Sequence, residues 1–307
     1  LGGKIIDIPL ALEWANSSIR ITDMLGLIEH WDTLKPLLER ASSSFREGKL
    51  PPSLVCPEPA ATLLSPIPRP LSMRDGYAFR QHVESARKGR GLPMIPEFDH
   101  FPVFYFTNHL AVSGPGELSV QKMARERLDF ELEVAIVLGK TGRNIQARHA
   151  DDYIFGYCIM NDWSARGLQT EEMKLNLGPA KGKDFATSLG PILVTRDELS
   201  AKAIHGDSGD RHDLKMKAFI NGVQLSDGNL KDMNWTFGQI LERVSYGVTV
   251  YPGEVIGSGT VGTGCFMELN GSKITDNQWL KPGDKVVLEV DGLGRLENTI
   301  VAAAGDI

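Results

Sequence analysis

Hydrophobic residues in this chain follow a helical spacing at first and fall into short strand-like runs later. Over the first fifty residues Leu25, Ile28, Leu34, Leu37 and Leu38 recur at three- and four-residue intervals, which predicts one helical pattern. The Pro-rich stretch "PPSLVCPEPAATLLSPIPRP", Pro51 to Pro70, cannot continue a helix and reads as an extended connector. A domain boundary is expected near its end, giving a small N-terminal domain over 1–65 and a second domain over 66–307. Beyond it, "FPVFYF", "ELEVAIVLG", "YIFGYCIMND", "GPILVT", "LKMKAFING", "VIGSGTVGTGCFMEL" and "DKVVLEVDG" read as short strands bounded by Gly, Pro and Asp. Helix is expected only over Ser164 to Leu175 and in "WTFGQILERVSYG" from Trp235. The lack of regular strand–helix alternation argues against a doubly wound parallel sheet, and the expected class is mixed, β-rich α+β with peripheral helices.

Composition narrows the function. With 307 residues, 42% hydrophobic and 23% charged, the chain matches an ordinary globular protein. A net charge of −6 argues against nucleic acid as partner, and no apolar run is long enough to span a bilayer. Cys56, Cys158 and Cys265 are isolated, which fits a reducing compartment and excludes a thiolate zinc site; the last two read as small core residues. No leader-type segment is read at Leu1, so a cytoplasmic location is expected.

Three motifs mislead. "GSGTVG", Gly257 to Gly262, matches the dinucleotide fingerprint, but the following "TGCFMELNG" reads as strand where that fingerprint needs a helix. "GPAKGKDF" is too short for a phosphate loop, and Asp184 stands where a magnesium-binding Ser or Thr would be. "GDSGD" around Ser208 lies in a hydrophilic stretch and reads as a solvated loop.

The chemistry concentrates in "RLDFELEVAIVLGK", Arg127 to Lys140. Strand alternation puts Glu131 and Glu133 on one face, with Phe130, Leu132 and Val134 on the other. The continuous run Ala135 to Leu138 takes the strand into the interior just after Glu133. Carboxylates there need a counter-charge, because desolvation costs several kcal/mol each. A hard divalent cation meets that need if more oxygen ligands are present. Candidates are Asp162, which ends an apolar strand and otherwise reads as a helix cap, and Asp75, otherwise a turn residue. Arg166 and Gln169 are three apart and share a helix face near the same end.

Together these blocks resemble the fumarylacetoacetate hydrolase family over roughly Leu63 to Ala302. "RDGYAFRQH", "FPVFY", "DFELEVAIVLGK", "NDWSARGLQ", "LGPAKGKDFATSLGP" and "GSGTVGTGCFMEL" stand in family order. The resemblance implies a β-sandwich roll with a smaller domain in front, usually as a homodimer. It implies metal binding by Asp75, Glu131, Glu133 and Asp162, usually of Mg²⁺, with Mn²⁺ or Ca²⁺ also seen. His82 would activate water and Glu268 orient it. Lys183, Arg166 and Gln169 would stabilise developing negative charge, and Tyr77, Tyr105, Thr187 and Thr260 would line the substrate pocket. Two family groups that grip substrate carboxylates are not matched. Met173 stands where a tyrosine is expected, and only Arg87, Lys88 or Arg90 offers an arginine-like charge after His82.

The implied chemistry is coherent. Cleaving a carbon–carbon bond between two carbonyls needs a stabilised enolate, an activated water and fixed positive charge. The expected function is metal-dependent hydrolysis of a 1,3-diketone or acylpyruvate-type diketo acid, as in aromatic catabolism. The alternatives are a decarboxylase or tautomerase of an oxaloacetate-type β-keto acid, and a silent metal-stabilised binding protein. "SARKGRG" after His82 has the composition of a mobile lid or, equally, of a solvated basic loop.

Overall fold

The computed structural model describes residues 2–89 and 91–305 and separates into two compact units, Leu1–Leu63 and Leu64–Ile307. In the first unit the single helical pattern resolves into three helices, Ile8–Trp14, Met24–Glu29 and Trp31–Arg46. The apolar spacing read from the sequence covers only the second and third of these, and local caps set where the first two begin. Asp7 accepts from the amide of Leu10 at 2.9 Å and Asp23 from that of Gly26 at 2.8 Å, so each starts a new helix. The Pro-rich stretch is not wholly extended. Pro52–Leu54 and Glu58–Ala60 are 3₁₀ turns with proline in their first turn, where its missing N–H costs nothing, and Val55–Pro57 pairs with Lys4–Ile6.

The second unit is a mixed α+β fold built on two sheets around one hydrophobic core. Seven strands run in the spatial order Phe104–Phe106, Met73–Gly76, Val255–Gly257, Leu132–Leu138, Ile154–Asp162, Thr187–Thr195 and Val112–Ser113. Five more form the order Val223–Asn229, Lys215–Ile220, Lys285–Val290, Gly294–Ala302 and Gly116–Val120. Leu132, Val134, Ile136 and Leu138 from the first sheet share the core with Met216, Ala218, Leu288 and Ile300 from the second. The other face of the seven-stranded sheet is buried too, and it carries the carboxylates. Both faces being covered explains why Leu132–Leu138 is fully buried and reads as a continuous apolar run. The interior therefore begins before Glu133, not after it: Glu131 and Leu132 are already buried.

Several local expectations need correction. "TGCFMELNG" is not strand. The strand ends at Gly257 and Phe266–Gly271 is a helix, whose buried Phe266 and Leu269 are three apart. Of the segment "SARKGRG", Ser85 to Lys88 are not loose but end the helix Arg80–Lys88, which buries His82, Val83 and Ala86 on one side; Arg90 lies outside the described residues. The end of this helix packs close to the other short helix, where a Cβ on Gly89 would lie 3.6 Å from the Cα of Gly271. Ser164 and Ala165 pair with Leu128 and Asp129 as strand, so that helix starts only at Arg166. The helix Phe237–Ser245 has a full capping box between Thr236 and Gln239. No helix among the described residues is long and apolar enough to cross a membrane.

Candidate active site

Adjacent strands deliver four carboxylates to one place. Residue 257 pairs with Asp75 across the parallel strands, Glu133 pairs with Met160, and Asp162 pairs with Thr187. Alternation along each strand then turns Asp75, Glu133 and Asp162, with Glu131 just before its strand, to the side away from the core. Asp75, Glu131, Glu133 and Asp162 each offer an oxygen, and these oxygens all lie within 4.8 Å of one another. All four residues are buried.

The glycines of "GSGTVG" serve this cluster. The motif does lie between a strand and a helix, closer to the dinucleotide context than the sequence reading allowed. However, a Cβ on Gly257 would stand 2.3 Å from Asp75 Oδ1, and one on Gly262 would stand 2.4 Å from the Gln81 side chain. Gly259, at φ +78°, presses on the backbone of Gly76. Its amide donates to Asp75 Oδ1 at 3.1 Å and to Glu133 Oε2 at 3.2 Å. The loop holds carboxylates where a nucleotide site would hold phosphates.

Two buried cations face the cluster. Lys183 Nζ donates to Glu131 Oε2 and, at 2.8 Å, to Asp162 Oδ2. Arg166 donates from Nη2 to Glu131 Oε1 at 2.7 Å, from Nε to Asp129 Oδ2 at 2.8 Å, and from Nη1 to Gln169 Oε1 at 2.9 Å. Burial would raise the Glu131 carboxyl, but Lys183 and Arg166 outweigh it and hold it at about 2. Asp75 lacks such a partner, so burial, and then the Asp162 charge, push it up to about 7. Burial, Asp75 and Glu131 drive Glu133 well above the carboxylate range, and burial also raises Asp162 despite Lys183. The Lys183 ammonium, with Asp162 and Glu131 overriding its burial, is held above its ordinary value.

These groups suit a hard divalent cation. All four donors are oxygen, repulsion among them is only partly offset, and Asp162 Oδ1 is buried with no hydrogen-bond partner. Asp162 is not a helix cap; that position belongs to Ala165. Ser164 does not cap either, since its hydroxyl donates to Asp162 O at 3.0 Å.

Beside the cluster, His82 and Glu268 form a buried pair, Nδ1 to Oε2 at 2.9 Å, although 186 residues separate them. A carboxylate on Nδ1 fixes the tautomer that leaves Nε2 as the basic nitrogen. His82 is near enough to add to the forces lowering Glu131. Cys265 brings its sulfur within 4.8 Å of the same two residues. Burial, reinforced by Asp129, drives that thiol well above its ordinary range, so it is a neutral neighbour.

The four residues expected to line a pocket are all close to this machinery. Tyr105 donates its hydroxyl to Asp162 Oδ2, and Thr260 donates to Glu133 Oε1 at 3.3 Å. Tyr77 sets its ring edge-on to His82 with centroids 5.8 Å apart, and Thr187 lies opposite Asp162. Among the charges after His82, Arg87 spends its Nε on the carbonyl of Pro93 at 2.5 Å, and Lys88 ends the helix; Arg90 lies outside the described residues. Met173 follows the helix Arg166–Glu172 and is exposed.

Two participants were not singled out from the sequence. Asn161 Oδ1 accepts the Glu131 amide at 2.9 Å and fixes the backbone there. Asp129 binds Arg166 and the start of the helix Phe266–Gly271. The signal for Asp129 was present: Asp129, Glu131 and Glu133 stand two apart, the same alternation that picked out the glutamates.

Known proteins similar to this chain indicate its family. The family described as "Fumarylacetoacetate (FAA) hydrolase C-terminal" matches residues 72–301. An oxaloacetate tautomerase of Bacillus subtilis is 29% identical over 244 residues, covering 78% of this chain and 72% of that protein. A mitochondrial oxaloacetate tautomerase of Homo sapiens is 30% identical over 249 residues, covering 80% and 72%. The solved fumarylacetoacetate hydrolase of Exiguobacterium antarcticum superposes with a TM-score of 0.61 at 27% identity, covering 78% of each chain.

Proposed function

Since the chain belongs to the fumarylacetoacetate hydrolase family of enzymes, we propose that it acts on a small 2-oxo acid carrying a second carbonyl, through the enolate of that acid. Keto–enol tautomerisation of an oxaloacetate-type diacid is the first reading. The observation that carries it is the buried His82–Glu268 pair standing beside the four-carboxylate cluster. Relatives named as oxaloacetate tautomerases support that choice over the hydrolysis expected from the sequence.

A Mg²⁺ or Mn²⁺ ion held by Asp75, Glu131, Glu133 and Asp162 would supply Lewis-acid polarisation of the two carbonyl oxygens. The chain's own residues do the rest. Glu268 accepts from Nδ1, so His82 Nε2 takes the proton from the carbon between the carbonyls and delivers it to the enolate oxygen, and in the reverse direction carries the enol proton to that carbon. The Lys183 ammonium, fixed by Glu131 and Asp162, gives permanent positive charge where negative charge develops. Arg166 holds Glu131 and Gln169 in place from the other side. Carbon–carbon hydrolysis of an acylpyruvate is the second reading, favoured by the same dyad, because Nε2 of a carboxylate-bound His can equally deprotonate a water.

The test is to follow decay of the oxaloacetate enol by ultraviolet absorbance, together with product analysis on a panel of acylpyruvates, with Mg²⁺ or Mn²⁺ present. Acceleration of the enol–keto exchange, reduced at least about 10²-fold in His82→Ala and similarly in Glu268→Gln, supports the first reading. Acylpyruvate cleavage without that exchange shifts the assignment to hydrolysis. Carbon dioxide as the main product, at a rate His82→Ala leaves intact, overturns both.

A further inference from the structure

Asp129 is fully buried and has every acceptor direction filled. Its Oδ1 accepts the amides of Phe266 at 2.7 Å and Phe130 at 3.0 Å. Its Oδ2 accepts the amide of Met267 at 2.9 Å and Arg166 Nε at 2.8 Å. The helix Phe266–Gly271 has Cys265 at its N-cap with no side-chain cap of its own. A residue 137 positions away in sequence therefore satisfies the first two donors of that helix.

The other end of this helix turn does chemistry in the reading above. Glu268 is the third helical residue, and its carboxylate orients His82. On the far side of Asp129, Arg166 binds Glu131 at 2.7 Å. The path Glu131–Arg166–Asp129–helix–Glu268–His82 is thus continuous, and no bond in it exceeds 2.9 Å. We infer that Asp129 is a positioning residue for the proposed reaction: it fastens the Glu268-bearing helix to Arg166, so the proton-moving pair keeps one spacing from the carboxylate cluster. The inference rests on His82 being the base. A plain structural role would make Asp129 a helix cap and core ion-pair partner whose loss lowers stability alone.

Asp129→Asn separates the two accounts. It is nearly isosteric, yet it turns an N–H₂ toward two donors and removes the charge facing Arg166. The expected result is a fall in kcat on the order of 10²-fold, as a misplacement of about an ångström produces, with KM and Mg²⁺ affinity changed less than about threefold. Asp129→Asn combined with Glu268→Gln should be no worse than Glu268→Gln alone, since both act through one group. Multiplying losses, an unchanged kcat, or loss of Mg²⁺ binding in step with kcat would each overturn the inference. If Asp129→Asn does not fold, Met267→Pro deletes one N–H that Asp129 accepts, in the first turn, where that N–H has no partner inside the helix, and the same outcomes decide. A second readout does not need turnover: the low-field proton resonance of His82 Nδ1–H, assigned by its absence in His82→Ala. Broadening or loss of that signal in Asp129→Asn supports the strut even if oxaloacetate and the acylpyruvates prove not to be substrates. An unchanged signal sinks it.

Discussion

Stripping divalent cations and then raising the pH should weaken this fold, which is opposite to the usual behaviour of paired carboxylates. Asp75 ordinarily titrates at 3.8 and is pushed up to about 7 by burial and by Asp162. Between those values the folded state binds a proton that the unfolded state has released. Its contribution is fully present below about pH 4 and is lost as pH rises through about 7. A displacement of about three pKa units at 1.36 kcal/mol each is roughly 4 kcal/mol, a large part of a typical domain's stability. Glu133 and Asp162, also raised by burial, act with the same sign. Glu131, held at about 2, contributes stability that is present above 4.5 and lost only below that, outside the range to be measured. His212, lowered from 6.5 by burial, works the other way in the same range, so an internal control is needed. The assay is urea unfolding of chelated protein between about pH 5 and about pH 8, for the wild type and Asp75→Asn. The stability gained by Asp75→Asn over the wild type should grow by a few kcal/mol across that range, and Mg²⁺ should abolish the trend in the wild type. If the chelated wild type keeps pace with Asp75→Asn, or gains on it, burial and the Asp162 charge do not raise Asp75 as described.

Lys183→Met removes the ammonium that touches both Glu131 and Asp162. It should cost the chelated protein about 3–5 kcal/mol in urea unfolding and lower turnover at least about 10²-fold; unchanged stability would mean that Lys183 is not the counter-charge. Away from the cluster, Arg74 Nη1 meets Glu254 Oε2 at 2.5 Å with both side chains buried. Arg74→Leu should cost about 3–5 kcal/mol by leaving the buried Glu254 charge without its counter-charge, and adding Glu254→Leu should recover part of that loss; a double variant weaker than the single one would contradict this.

What could be read along the chain divides by the distance over which its cause acts. The strands Leu132–Leu138, Ile154–Asp162 and Lys285–Val290 were legible because burial on one or both faces is written into consecutive residues. The glutamate pair stood out because alternation is equally local. The helix Phe266–Gly271 was misread as strand because it is only one and a half turns long and its cap comes from Asp129 rather than from a neighbour. The helix Arg80–Lys88 was missed for a different reason. "RQHVESARK" is mostly polar, and only once folded does it turn His82, Val83 and Ala86 inward. Its "SARK" end therefore looked like a flexible segment. Asp75 and Asp162 had plausible local roles, as a turn residue and a cap, that only the strand register displaces.

The same division appears in how the site is built. The costly part, four buried carboxylates, is laid on or at the start of strands that have neighbours on both sides, and Lys183 reaches it from a turn. A cation bound at a hundred times its Kd would return about 2.7 kcal/mol to the folded state, so the cluster becomes tolerable in proportion to metal supply. The proton-moving part is carried by short helices: His82 on Arg80–Lys88 and Glu268 on Phe266–Gly271, which approach each other where Gly89 meets Gly271. A small shift of either helix would redirect Nε2 without moving the carboxylates carried by the seven-stranded sheet. Enolate stabilisation is therefore a property of the sheet, whereas the choice between returning a proton to carbon and taking one from water belongs to the two helices and to Asp129, which fastens one of them to Arg166.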